Sequence, residues 1–447
     1  MTGAHSHSRT GQAPGVAPSR RVAYTVLRRV FEDGAFADRA LHAEATELGQ
    51  RDRALATNLV YGTVQRRRTL DHVLAGCVSR PLDRVDPPLL ASLRLGAFQL
   101  LFLDGITTYA AVNESVELAK RSGPRGVAGA QMVNAVLRRV AREGRAVVDA
   151  LDDATAQHAA IRYSVPDWLA ELWWRERGPE QARLALAAIN RPAESAIRVN
   201  TLRASVAQVQ AALPAAAAPR PAGEELPEGL VLGGPFDAFG SELLTSGQLM
   251  PQSRASMLVA RTLAPEPGDR VLDLCAAPGG KTTHIAALIE GKGEIVAIEV
   301  HAGRARALMQ TCERMGAAGT VRVIVGDGRD AAAPLGAFDR VLVDPPCSGL
   351  GTLQSRPDLR WQERRGEAGA LAARQAELLR AAAERVAQGG TLVYSVCTIS
   401  DAEGAGQVQA FLAAPPGAAF SLASERELLP HRDGTDGFYI ACLRRSA

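Results

Sequence analysis

Between Val271 and Ile289 an apolar run, Val-Leu-Asp-Leu-Cys, breaks at Ala276-Ala277-Pro278-Gly279-Gly280-Lys281 and restarts as His284-Ile-Ala-Ala-Leu-Ile289 with helical spacing. This reads as a buried strand, a tight glycine turn and a helix, a unit that belongs to parallel α/β sheets. Adjacent glycines let a ligand approach the backbone closely, and the amides opening the following helix favour a negative or hydrogen-bonding group. Gly293 to Glu299 then reads as a second strand ending in an acid, about 20 residues after the glycines, where a ribose hydroxyl is usually bound. Three more apolar runs follow: Val321 to Val325 before Asp327, Phe338 to Val343 before Asp344, and Thr391 to Val396 before Cys397. Acids and a thiol thus gather at the edge where open parallel sheets bind ligands.

A chain of 447 residues exceeds one ordinary domain, and at 47% hydrophobic residues it has enough apolar material for a large core. No apolar run approaches the ~20 residues of a membrane helix, so no span is expected. Met1 to Ser19 is rich in Gly, Pro, Ser and His and lacks an apolar centre, so it reads as a disordered tail rather than a signal peptide.

From Arg20 to about Val147 the apolar residues recur three and four apart, as in Val22, Val26, Leu27 and Val30, which predicts a compact all-α bundle of six or seven helices. Residues 1–150 carry a net charge of +7 and the remainder −4, so the basic surplus lies in this helical third. Arg66-Arg67-Arg68 and Arg138-Arg139 cluster at its edges. Most such runs are solvated helix faces, and the sharper alternative is contact with RNA phosphates. The chain holds three lysines (120, 281, 292) against 48 arginines, which singles out Lys281 in the glycine turn.

Residues 148–247 read as a connecting α+β region: a helix begins near Tyr163 to Leu169 and carries Trp173 and Trp174, and Arg198-Val-Asn200 looks like a short strand. The tryptophans at helical spacing are more often core than base-stacking platforms. Residues 248–447 form the expected α/β domain.

The six cysteines (77, 275, 312, 347, 397, 442) show no CxxC pairing, which points to a reduced, cytoplasmic protein without a metal framework. Cys77, Cys312 and Cys442 fall inside helical or strand patterns and read as small buried hydrophobes. Cys275 directly precedes the glycine turn and reads as structural. Cys347, in Asp344-Pro-Pro-Cys-Ser-Gly, and Cys397, in Tyr394-Ser-Val-Cys-Thr, follow strands beside an acid, a placement that fits nucleophilic chemistry.

Those motifs, with Asp273 to Lys281 and Asp327-Gly328, resemble the RsmB/Fmu/Sun family of S-adenosylmethionine-dependent RNA cytosine C5-methyltransferases. Asn58 to Gly62, Leu95 to Leu101, Ala111 to Glu117 and Val133 to Arg139 are similar to the NusB-like helical domain these enzymes carry. The resemblance covers nearly the whole chain after the tail. It implies a tail (1–19), a NusB-like RNA-binding domain (20–147), a connecting region (148–247) and a Rossmann-like methyltransferase domain (248–447). It also implies that Cys275, Ala276, Ala277, Pro278, Gly279, Gly280, Lys281, Glu299, Asp327 and Asp344 form the S-adenosylmethionine site. Glu299 would take the ribose hydroxyls and Asp327 the adenine amine. Glu299 stands where the family commonly has Asp.

Carbon-5 of cytosine is a poor nucleophile, and a thiolate adding to carbon-6 makes it electron-rich. The residues alone leave open which cysteine attacks, since DNA cytosine methyltransferases use the Pro-Cys position, here Cys347. The RNA family implies Cys397 as nucleophile, with Cys347 assisting product release and Asp344 binding the cytosine ring. Lys281 is expected to lower a thiol pKa or orient the base. The expected partner is 16S ribosomal RNA, naked or in an assembling small subunit, and the expected state is a monomer without membrane or metal. Two other readings remain: an amino-group methyltransferase of the N6-adenine type, whose Asp-Pro-Pro is followed by an aromatic where Cys347 stands here, and a non-catalytic RNA-binding or ribosome assembly factor.

Overall fold

The computed structural model describes residues 15–122, 126–330, 335–362 and 367–447. The chain divides into two compact units, 1–174 with 356–362, and 175–355 with 363–447.

The first unit is helical. Its bundle comprises α1 (Pro18–Glu32), α2 (Ala37–Glu44), α3 (Gln50–Gln65), α4 (Arg67–Ala75), α5 (Pro87–Phe102), α6 (Thr108–Lys120) and α7 (Gly126–Asp149). α8 (Ala156–Arg162) and the start of α9 (Asp167–Ala188) follow, and the division between units falls inside α9. The three-and-four spacing delivers one core: Val26, Leu27, Leu59, Leu70, Leu93, Leu95, Val133 and Leu137 are fully buried. Part of the expected tail is ordered. Pro18 and Ser19 open α1 with proline in the first turn, where its missing N–H costs nothing. Residues 1–14 of that tail, and Gly123-Pro124 of an expected break, lie outside the described residues. Glu114 of the Ala111 to Glu117 motif accepts the Ala17 amide at 2.9 Å and pairs with Arg20 at 3.0 Å, so it anchors the start of α1.

The second unit holds two sheets. A small antiparallel one has the order β2 (Pro219–Pro221), β3 (Gly229–Leu232), β1 (Ala196–Val199), β4 (Leu249–Pro251). The larger has the order β10-β11-β9-β8-β5-β6-β7, made from β5 (Arg270–Asp273), β6 (Glu294–Glu299), β7 (Val321–Val325), β8 (Phe338–Val343), β9 (Val386–Val396), β10 (Phe420–Leu428) and β11 (Phe438–Arg445). Strands β5 to β9 are mutually parallel, while at one side β11 pairs antiparallel with β9 and β10 pairs antiparallel with β11. Their near-continuous apolar runs suit a sheet covered on both faces, and two separate apolar clusters flank it. Cys77 differs from its expected place inside a helix: α4 ends at Ala75, and Cys77 sits half-buried in the turn beyond.

Among the described residues no helix is long and apolar enough to cross a membrane.

Candidate active site and cofactor cradle

The strand order puts β5 at the centre, between β8 and β6, so the loops after β5, β6, β7, β8 and β9 all open on one edge. The glycine turn follows β5. Gly279 adopts φ 103°, and a Cβ there would meet Leu308 Cδ1 at 2.8 Å, so only glycine fits. The helix Gly280–Leu288 starts directly after it. Asp273 accepts from Thr282 Oγ1 at 2.8 Å, while its Oδ1 is buried without a partner among the described residues. Burial pushes the Asp273 carboxyl up to about 6, and the neighbouring Asp344 charge adds to this.

The next two acids sit as expected at the ends of β6 and β7, and both are already engaged. Glu299 is buried, accepts the His301 amide at 2.9 Å and lies 3.4 Å from Arg304. Arg304 also donates to the Ala277 carbonyl at 2.9 Å, tying the acid to the turn. Asp327 is gripped through both oxygens by Arg329, which holds its carboxyl down at about 2. A glycine-only turn at a helix start, an orphaned buried carboxylate oxygen and two acids on successive strand ends fit a nucleoside-bearing cofactor.

Beneath the turn lies a residue that sequence reading passed over. Arg198 on β1 is fully buried. It donates to Gln252 Oε1 at 2.7 Å, Thr283 Oγ1 at 2.9 Å and the Gly280 carbonyl at 3.3 Å. Burial lowers its pKa to about 9, so it remains charged at neutral pH. The strand-like Arg-Val-Asn was visible in the sequence, but no local pattern marks a partner more than 80 residues away.

β8 and β9 pair in parallel with Val343 opposite Tyr394, so Asp344 and Ser395 emerge side by side. Ser395 Oγ donates to Asp344 Oδ1 at 2.9 Å, and Lys281 Nζ lies 2.6 Å from Asp344 Oδ2. Burial disfavours the Lys281 charge, but Asp344 outweighs it and raises the ammonium pKa. Lys281 Nζ also sits 5.4 Å over the Phe438 ring. The loops then bring Cys347 and Cys397 together, both half-buried, with their sulfurs 3.3 Å apart. The hydrogen bond with Cys347, helped by Lys281, lowers the Cys397 pKa against burial and Asp344. The same bond, together with burial and nearby negative charge, pushes the Cys347 thiol well up. Of the two thiols, Cys397 is therefore the one whose ionisation is favoured and Cys347 the one whose ionisation is opposed. Cys275 differs: burial, with Asp273 and Asp344 beside it, pushes its thiol up and leaves it a protonated lining group.

A clamp unmarked in the sequence holds these loops. Glu403 Oε2 accepts the Ser348 amide at 2.8 Å and Gln375 Nε2 at 2.9 Å, while Tyr394 donates to the Glu403 carbonyl at 2.7 Å. Ser348 and Thr398 hydroxyls meet at 2.9 Å. Gly351 donates to the Cys397 carbonyl at 3.0 Å and its own carbonyl accepts from Gly437 at 2.8 Å. A Cβ on Gly351 would lie 1.9 Å from the Gly437 carbonyl oxygen, so this loop crossing requires glycine.

The arginine clusters fare differently from the simple phosphate-contact reading. Arg66 stacks over Phe102 at 4.9 Å, and Arg67 over Phe31 at 5.4 Å and Trp361 at 5.2 Å. Burial lowers both, Arg67 to about 10. Arg68 binds Asp167 at 2.7 Å and the Val165 carbonyl at 3.2 Å. All three are half-buried and internally committed, because a guanidinium next to aromatic rings and carbonyls packs as part of the fold. Arg138 and Arg139 are exposed, with Arg138 donating to Asn134 and Arg139 paired with Glu143. Among the described residues no group of His, Cys, Asp or Glu is arranged to hold a metal ion.

Residues 260–444 match the model of the 16S rRNA methyltransferase RsmB/F family, residues 17–142 that of the NusB family, and residues 165–238 that of the ferredoxin-like domain of RsmF/B-like methyltransferases. The chain is 36% identical to the ribosomal RNA small subunit methyltransferase B of Thermus thermophilus, over 95% of this chain and 97% of that one. The crystal structure of PH0851 covers 97% of this chain and is itself covered completely, with a TM-score of 0.80 and 28% identity. NSun6 from Pyrococcus horikoshii, solved with SFG, has a TM-score of 0.57 and 25% identity over 63% of this chain and 98% of its own.

Proposed function

The chain belongs to the 16S rRNA methyltransferase RsmB/F family, and from that premise we propose that it methylates carbon-5 of a cytidine in 16S ribosomal RNA through a covalent bond between Cys397 and carbon-6. It is an S-adenosylmethionine-dependent RNA methyltransferase. The bound cofactor supplies an electrophilic methyl group. Gly279, Gly280 and Lys281 of the turn would hold its methionine end, Glu299 the ribose and Asp327 the adenine.

The observation that carries the reading is the thiol pair. Amino-group methylation needs no thiol, whereas addition to carbon-6 needs a thiolate at working pH. Cys397 bears the lowered pKa. Asp344 is held by Lys281 and Ser395, and in this reading it would hydrogen-bond the cytosine ring and favour its protonated form on attack. The Cys397 sulfur adds to carbon-6, and carbon-5 takes the methyl group. Removal of the carbon-5 proton then expels the sulfur, with Cys347 assisting at 3.3 Å. The target base must be unstacked to reach the thiolate, which fits an RNA loop. Domains at 20–147, 148–247 and 248–447 and a monomeric state complete the reading.

The test is methyl transfer from labelled S-adenosylmethionine to unmodified 16S rRNA, with nucleoside mass spectrometry and a denaturing gel for protein bound to RNA. We expect 5-methylcytidine from the wild type, no transfer and no adduct from Cys397→Ala, and an accumulating adduct from Cys347→Ala. Detection of 6-methyladenosine, or the reverse pattern in the two variants, would overturn it.

A further inference from the structure

A cleft of about 460 Å³ lies outside the cofactor cradle, lined by Arg191, Arg220, Arg254, Glu194, Gln354 and Gly434 among others. We infer that it binds the phosphodiester backbone of the RNA strand that leads to the target base. This rests on the reading of the protein as an rRNA methyltransferase and adds to it a route for the substrate.

The charges in the cleft are unevenly committed. Arg254 is spent on structure: it pairs with Glu194 at 2.5 Å and donates to the Asp433 and Gly434 carbonyls at 3.0 and 3.1 Å. That pairing neutralises the one acid named in the lining. Arg191 follows α9 and Arg220 sits on β2, the edge strand of the small sheet, and both are exposed. Among the described residues neither guanidinium has an ion pair or side-chain hydrogen bond. The cleft therefore carries a surplus of two positive charges on donors built for phosphate oxygens.

Its position ties it to the chemistry. Gln354 follows the Gly351 turn and donates to the Ala188 carbonyl at 3.0 Å, just ahead of Arg191. Gly434 lies on the loop that reaches Gly437, whose amide bonds Gly351, whose amide in turn bonds the Cys397 carbonyl. One wall of the cleft is thus two backbone hydrogen bonds from Cys397. In this proposal the strand whose base occupies the catalytic pocket continues past this wall, where the uncompensated arginines would neutralise its phosphates.

The test uses the full-length protein and measures binding of a 16S rRNA transcript by fluorescence anisotropy across a salt series, with methyl transfer run in parallel. Arg191→Gln/Arg220→Gln is compared with wild type and with Arg444→Gln, an exposed arginine at the opposite end of β9 and β11. The double variant should bind RNA about tenfold more weakly, with the slope of log K against log salt shallower by roughly 1.4 for two lost phosphate contacts. Affinity for S-adenosylmethionine should be unchanged, and Arg444→Gln should match wild type. Unchanged RNA affinity and slope in the double variant, with wild-type methyl transfer intact, would overturn the cleft and leave the activity standing. The same result follows if Arg444→Gln loses as much, or if the double variant loses affinity for inorganic phosphate and not for RNA. Weaker RNA binding by the double variant with no methyl transfer by the wild type would retain the cleft and remove the catalytic reading.

Discussion

Cys347 Sγ lies 3.3 Å from Cys397 Sγ, and the hydrogen bond between them raises the pKa of the first and lowers that of the second. The two thiols are thereby driven in opposite directions, though both follow neighbouring parallel strands.

Removing the donor should undo that assignment. In Cys347→Ala, Cys397 loses the bond that stabilises its thiolate, so its pKa rises and less thiolate is present at pH 7. Iodoacetamide labelling of Cys397, followed by peptide mass spectrometry, should slow on the order of tenfold at pH 7 and recover as pH rises. An unchanged labelling profile would place the thiolate's stabilisation elsewhere.

Lys281→Met removes a second contribution, since the ammonium lowers the Cys397 pKa and neutralises Asp344 at 2.6 Å. The acidic limb of the kcat/KM profile should move to higher pH, with a loss on the order of tenfold at pH 7. A profile identical to wild type would remove Lys281 from the machinery.

Arg198→Met would leave the Gly280 and Thr283 carbonyls under the glycine turn without their buried donor. Hydrogen bonds to charged groups contribute about 1.5–3 kcal/mol, so S-adenosylmethionine binding should weaken about tenfold or more by calorimetry. Thermal unfolding in the same samples separates a misplaced turn from a lost fold, and unaltered affinity would make Arg198 purely a packing residue.

Gly351→Ala would drive a Cβ to 1.9 Å from the Gly437 carbonyl oxygen, and backbone cannot yield as a side chain can. Stability should fall by about 1–3 kcal/mol. Methyl transfer should fall further than that loss explains, because Gly351 also bonds Cys397. Wild-type transfer by this variant would show that the crossing does not position the thiol.

Asp273 gives a pH test. Its folded pKa is raised to about 6, so the stability linked to its protonation is greatest below the ordinary carboxyl range and lost as pH rises through 6. Asp273→Asn keeps an acceptor for Thr282 without the buried charge. The variant should exceed wild type in stability above pH 6, by up to about 3 kcal/mol, with the difference gone near pH 4. Denaturant melts at the two pH values measure this, and a pH-independent difference would contradict it.

Some of this was written locally in the chain. Helical spacing from Val22 onward, the glycine break after Leu274 and the acids after successive apolar runs all sit within a few residues of what they determine. A parallel sheet then brings every such strand end to one edge. Tertiary structure decided what depends on remote partners. Arg66, Arg67 and Arg68 look like free surface charge until Phe102, Phe31, Trp361 and Asp167 claim them. Glu403, Gln375 and Arg198 carry no motif, because a buried polar group takes its role from whichever distant atom satisfies it. The opposite pKa shifts of Cys347 and Cys397 were decided in the same way: a thiol pKa follows burial, hydrogen bonding and neighbouring charge, and these exist only once the loops are folded.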